Sequence, residues 1–193
     1  MHAHDLTALK LELSVKAKNG VDFIAAATLL WVAIAFVWAQ PTSPAHRGFL
    51  TFCLSGLMLP LAFGFSKVFR TTWTIPGNPL QPLGLWLNVA QLFYFPFLVF
   101  IYLRQPAYFI LVYGVITGAH LFPYAWFYHE KAFAVLAGVM AIGCLVIGLN
   151  TSVATLYYLP VFMAGALAVL GVMLFASYQK RAAQLPLGAP AIA

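Results

Sequence analysis

The sequence predicts an all-α integral membrane protein, a six-transmembrane-helix bundle preceded by an N-terminal interfacial amphipathic helix. Three observations carry this expectation. Of 193 residues, 63% are hydrophobic and only 7% charged, whereas a soluble domain carries about 25% charged residues, so lipid must be the solvent for most of this surface. Six apolar runs each approach the roughly 20 residues that cross a bilayer. The basic residues gather at alternate ends of those runs, as topology requires.

Residues 1–20 form the first element. Asp5 is placed to cap a helix with Leu6, Leu9, Leu13 and Ala17 on one face and Lys10 and Lys16 off it. Glu12 and Lys16 make a favourable i,i+4 pair, and Asn19-Gly20 is a stop signal. The reading is a cytoplasmic helix lying on the membrane surface. A plain extension of the first span competes with it and differs only at Asn19-Gly20. The segment lacks an apolar core followed by a small-residue cleavage site, so no cleaved signal peptide is expected.

The spans are read at 21–39, 49–69, 83–103, 107–128, 132–149 and 154–178, which makes 21–178 one transmembrane domain. Proline and glycine clusters punctuate the joints. The joints at 104–106 and 129–131 are tight, so the third, fourth and fifth spans are antiparallel neighbours. Residues 179–193 read as a disordered cytoplasmic tail, rich in Ala, Pro, Leu and Gly after Arg181. Lys10, Lys16, Lys18, Lys67, Arg70, Lys131, Lys180 and Arg181 fall on one side, against Arg47 and Arg104 on the other. That bias puts both termini in the cytoplasm of a multi-pass protein of the cell membrane, a bacterial inner membrane by expectation.

Several function classes lose their support. The basic residues form no stripe with interleaved aromatics, so nucleic acid is not an expected partner. Asp22 sits at the inner mouth of the first span, where a pair with Lys67 at the inner end of the second is expected; no Asp or Glu lies deeper in a span, and no carboxylate pair is available for acid–base hydrolysis. His120 is the one histidine inside a span, and Cys53 and Cys144 form no CxxC motif, so no metal ligands and no cofactor are expected. The two cysteines are expected to be reduced.

The polar residues inside the spans are few, and such residues usually face the bundle interior. Asn88 and Gln91 are three residues apart on the third span, while Tyr113, Thr117, His120 and Tyr124 fall at i, i+4, i+7 and i+11 on the fourth. Gln91, His120 and Pro60 each stand about eight residues from the cytoplasmic end, which at about 1.5 Å per residue places them at one depth, roughly 12 Å in. Asn88, Gln91 and His120 would supply hydrogen bonds, with Tyr113, Thr117 and Tyr124 along the wall. Polar side chains that only tie helices together are the competing role. Small-residue faces at Ala134, Gly138 and Ala141, and at Ala164, Ala168 and Gly171, suit close packing within the bundle or a homo-oligomer.

Four strings resemble those of a family of small bacterial membrane proteins of unknown function. They are Ala17-Lys18-Asn19-Gly20, Leu61-Ala62-Phe63-Gly64-Phe65-Ser66-Lys67, Asn88-Val89-Ala90-Gln91-Leu92-Phe93-Tyr94-Phe95-Pro96, and Thr117-Gly118-Ala119-His120-Leu121-Phe122-Pro123-Tyr124-Ala125-Trp126-Phe127-Tyr128. The resemblance runs from the N-terminal helix to the fifth span and implies the fold and cellular setting, not a mechanism.

The leading function is therefore binding or transport of a small polar or amphiphilic molecule in the cytoplasmic half of the bundle, with membrane lipid as a further partner. One alternative is a non-catalytic partner subunit or membrane-stress factor. The other is a lipid-modifying enzyme with His120 as base; whether the protein is an enzyme stays open, with a non-catalytic role favoured. Reporter fusions check the topology: those after Arg181 and near Gly77 read as cytoplasmic and one near Pro44 as external, and a periplasmic signal from the C-terminal fusion breaks the six-span reading.

Overall fold

A computed structural model of the protein describes the backbone of residues 3–184 and the side chains of residues 6–183. The tail expected to be disordered over 185–193 and the Asp5 cap lie outside those described residues. Among the described residues the chain is helical, without strands. Five segments are long and apolar enough to cross a membrane: Lys18–Trp38, Gln81–Arg104, Pro106–Phe127, Lys131–Asn150 and Val153–Ala183. Helices α3 (Pro44–Ser55) and α4 (Met58–Phe69) pass the same test only as a pair bent by 43°. The fold is that of a multi-pass membrane protein with five such spans, or six if the bent pair is one.

The remaining helices are α1 (Ala3–Lys16), α2 (Val21–Trp38), α5 (Gln81–Leu92), α6 (Phe95–Arg104), α7 (Phe109–His120), α8 (Tyr124–Phe127), α9 (Lys131–Asn150) and α10 (Tyr158–Gln184). Three runs expected as single helices are broken. Proline has no N–H and its ring clashes with the carbonyl four residues back. For Pro60, Pro96 and Pro123 that carbonyl belongs to Gly56, Leu92 and Ala119. The helices end at Ser55, Leu92 and His120, within one residue of each. The last helix extends to Gln184, so residues 179–184 are helical rather than part of a tail.

Helix α10 packs along α2 and α9. Its Met163, Leu167, Leu170 and Leu174 are fully buried. Helix α7 approaches α9 closely: a Cβ on Gly118 would stand 2.8 Å from Met140 Cβ, and one on Gly114 2.7 Å from Cys144 Sγ. Of the expected small-residue faces, Gly171 sits against Ile24, whereas Gly138 faces open space. Cys53 is exposed and Cys144 buried, and both are free.

The break after α1 is the most constrained point of the backbone. Lys18, Asn19 and Gly20 have φ of 48°, 57° and 71°, a left-handed run that only glycine adopts without cost. Asn19 is wholly buried, and both ends of its amide are bonded. Ser14 Oγ donates to its Oδ1 at 2.6 Å, and its Nδ2 donates to the Leu174 carbonyl at 3.1 Å. Arg181 completes the knot, donating to Ser14 Oγ, to the Tyr128 and His129 carbonyls at 3.0 and 2.7 Å, and to Glu130 Oε2 at 2.9 Å. Ser177 Oγ also donates to Glu130. One guanidinium thus joins α1, the α8–α9 turn and α10.

Two sequence expectations at this end are corrected. Lys10, expected off the apolar face, is 7% exposed and lies on the buried side with Leu13 and Ser14. Its Nζ sits 3.4 Å from the Trp126 ring centroid, a cation–π contact that keeps the charge tolerable in a dry site. Asp22 does not pair with Lys67. It accepts hydrogen bonds from Thr71 Oγ1 and Trp73 Nε1, both at 2.6 Å, because the 70–80 loop folds back beneath the bundle. Asn78 fastens that loop to α1, donating to the Leu9 carbonyl at 3.0 Å and to Glu12 at 2.9 Å. The Lys16 ammonium, 2.6 Å from Glu12, holds that carboxyl below its usual range. Together these ties form a polar layer at the basic end of the bundle.

Removing one member of this knot leaves buried groups without partners, at about 1–3 kcal/mol each. Asn19→Ala and Arg181→Met each lower the unfolding temperature in detergent, and the double variant loses less than the sum because both act through Ser14. Lys180→Gln, at an exposed position, serves as the unperturbed control.

Candidate functional site

A cleft of about 250 Å³ opens between the α5–α6 and α7–α8 segments. Leu87, Ala90 and Tyr94 form one wall, and Val115, Ile116, Ala119, His120 and Pro123 the other. The α5–α6 segment packs more tightly through the start of α5 and through α6 than between them. At the basic end Gly84 meets Phe127, so closely that a Cβ there would lie 2.9 Å from Phe127 Cζ. At the other end Leu98 is buried and Phe95 packs on Phe52. Between these points no residue of α5 is fully buried.

Both walls break at the level of the cleft. Leu92 and Ala119 are the residues whose carbonyls lose their usual donor to Pro96 and Pro123. The chain tightens there instead, with Tyr94 N–H donating to the Gln91 carbonyl and Phe122 N–H to the Ala119 carbonyl, each at 3.1 Å.

The structure separates the six residues nominated from the sequence. His120 is half-buried and faces the cleft, its ring edge-on to Tyr124 with centroids 5.5 Å apart. The hydrogen bond expected from Gln91, Asn88 or a tyrosine hydroxyl is not formed; among the described residues the imidazole has no hydrogen-bond partner. Asn88 is exposed and donates to the Gly84 carbonyl of its own helix at 2.9 Å. Gln91 is half-buried and does not line the cleft. Leu87, Ala90 and Tyr94 turn toward α7 instead, a face about 130° around the helix from Asn88.

Tyr113 serves packing. Its hydroxyl is 2.7 Å from Ser55 Oγ, and its ring stacks on Trp31 and Phe109. Thr117 Oγ1 is buried without a partner among the described residues. Tyr124 is 8% exposed within an aromatic cluster of Phe127, Tyr128 and Phe133. The single polar stripe expected over 113–124 fails because α7 stops at His120, and the turn to α8 resets the helical phase.

The cleft offers apolar walls, one imidazole and the Tyr94 side chain, itself half exposed. No three histidine, cysteine or acidic side chains converge among the described residues. This chemistry suits an amphiphile with one hydrogen-bonding group. Sequence reasoning did not foresee the hydrogen bonds of the polar residues that the structure organises most tightly, Asn19, Asp22, Asn78, Glu130 and Arg181. They lie at the ends of the apolar runs or between them, where a polar residue is explained by a helix end or by topology.

Comparison with curated proteins and with solved structures finds no match. Residues 6–177 match a family of unknown function, so the similarity reaches beyond the fifth span and through most of α10. The chain, with its clamped N-terminal helix and its cleft at His120, belongs to the family of unknown function DUF7010.

Proposed function

We propose that the protein is a six-span membrane protein with both termini cytoplasmic, and that it binds an amphiphilic molecule in the cleft at His120, entering sideways from the lipid. The observation that carries this reading is an imidazole on an open, largely apolar cleft with no hydrogen-bond partner among the described residues. A polar group left bare in hydrocarbon costs several kcal/mol, and an amphiphile's head group meets that need while its chain follows Leu87, Ala90 and Ile116. The topology rests on the eight-to-two division of Lys and Arg. It puts the cleft in the cytoplasmic half, with α1 lying along the inner leaflet.

A second reading, a non-catalytic partner subunit, draws on one observation. The α5–α6 segment turns Trp86, Phe93, Phe97 and Phe100 outward, with Phe93 79% exposed. A partner helix would cover that outer face and leave the cleft unchanged. Catalysis by His120 gains less support, since the cleft wall carries no second titratable side chain besides tyrosine.

The test uses a diazirine-bearing phospholipid with the protein in nanodiscs. Labelling concentrates on residues 87–94 and 115–123, and Ala119→Trp, which fills the cleft, lowers it several-fold. His120→Phe weakens labelling while the protein still inserts. Even labelling around the lipid-facing surface, unchanged by Ala119→Trp, overturns the proposal. Co-purification of a protein partner, lost on substituting Trp86 and Phe97 but not Ala119, favours the second reading.

A further inference from the structure

Arg47 is a buried cation with no counter-charge beside it among the described residues. It stands in the first turns of α3, at the end of the bundle opposite α1. Its residue is 7% exposed, and Nε and Nη1 are buried with no hydrogen-bond partner among the described residues. The guanidinium carbon lies 5.8 Å from the Trp38 ring centroid. Trp38 is itself held, donating from Nε1 to Thr51 Oγ1 at 3.0 Å, while Thr51 Oγ1 donates to the Arg47 carbonyl at 2.9 Å. The side chain therefore lies on a fixed platform rather than on a loose surface.

The chain holds four carboxylate side chains, Asp5, Glu12, Asp22 and Glu130. Asp5 and Glu12 are in α1, Asp22 opens α2 beside it, and Glu130 caps α9 at the same end. Among the described residues no carboxylate pairs with Arg47. An arginine does not neutralise by losing its proton, so burial without an anion is costly. Its chain neighbour Gly48 packs against the Tyr102 and Phe109 rings, which offer no anion.

We infer that Arg47 is the core of an oxyanion site at the end of the bundle opposite α1, binding a phosphate oxygen through its guanidinium. The phosphate belongs to a lipid head group or to a free anion. Either meets the planar donor fork in the same way, and the site is separate from the cleft at His120.

The experiment follows thermal unfolding of the whole chain in maltoside micelles free of phosphate, in the same micelles with inorganic phosphate, and in micelles with added phosphatidylglycerol. In the maltoside alone, Arg47→Gln unfolds at the wild-type temperature or above it, because the substitution removes an unpaired charge. Anion binding raises the wild-type temperature by about 5 °C; Arg47→Gln shows no rise, and Arg47→Lys keeps part of it. A rise with phosphatidylglycerol alone identifies a lipid, and a rise with inorganic phosphate identifies a free anion. An equal rise in wild type and Arg47→Gln overturns the inference. So does a change confined to oligomeric state without anion dependence, which assigns Arg47 to a carboxylate of another chain.

Discussion

The knot around Arg181 decides what the rest of the molecule can do. Asn19 and Ser14 take one edge of it, Tyr128 and His129 carbonyls another, and Glu130 the third. Each buried donor there has a specific acceptor, so the three left-handed residues at 18–20 are held by bonds that would be lost in any other backbone path. The result is a rigid unit in which α1, α2, α8, α9 and α10 cannot shift independently. The packing of Gly114 and Gly118 against α9 adds α7 to it.

The α5–α6 segment stands outside that unit. It has no member in the knot and no fully buried residue except Leu98. With one wall fixed and the other loosely packed, a gap remains between them at the proline breaks. His120 opens into that gap because it is the last residue of α7, where the helix stops obeying its own period. Site and scaffold are thus consequences of one arrangement: prolines break the segments flanking the cleft, and the polar layer fixes only one of them.

Much of this was legible in the sequence. Apolar run length gave the spanning segments, and Asn19-Gly20 announced the break because few other residue pairs take a left-handed turn. The Glu12–Lys16 pair forms as its spacing implied. His120 was singled out and does face a cleft. Asn88 was misjudged because polar spacing says which residues share a face, not which way that face points; the wall is made of Leu87, Ala90 and Tyr94. Lys10 was placed on the wrong side because charge was taken to mean exposure, while Trp126, remote in sequence, offered its ring. Arg181 and Arg47 were both read as topology signals. One is a hub and the other a buried cation, and nothing local in their sequence separates a charge that reaches solvent from one that does not.

The central claim is that a gap at His120 is filled by a molecule from the membrane. The most direct measurement is the density between the third and fourth spans in a cryo-EM map of the protein in lipid nanodiscs. The account predicts elongated non-protein density along Leu87, Ala90 and Ile116, with a polar atom about 3 Å from a ring nitrogen of His120. A map in which α5 lies packed against α7, with the Gln91 amide bonded to His120 and no space between the walls, would contradict it.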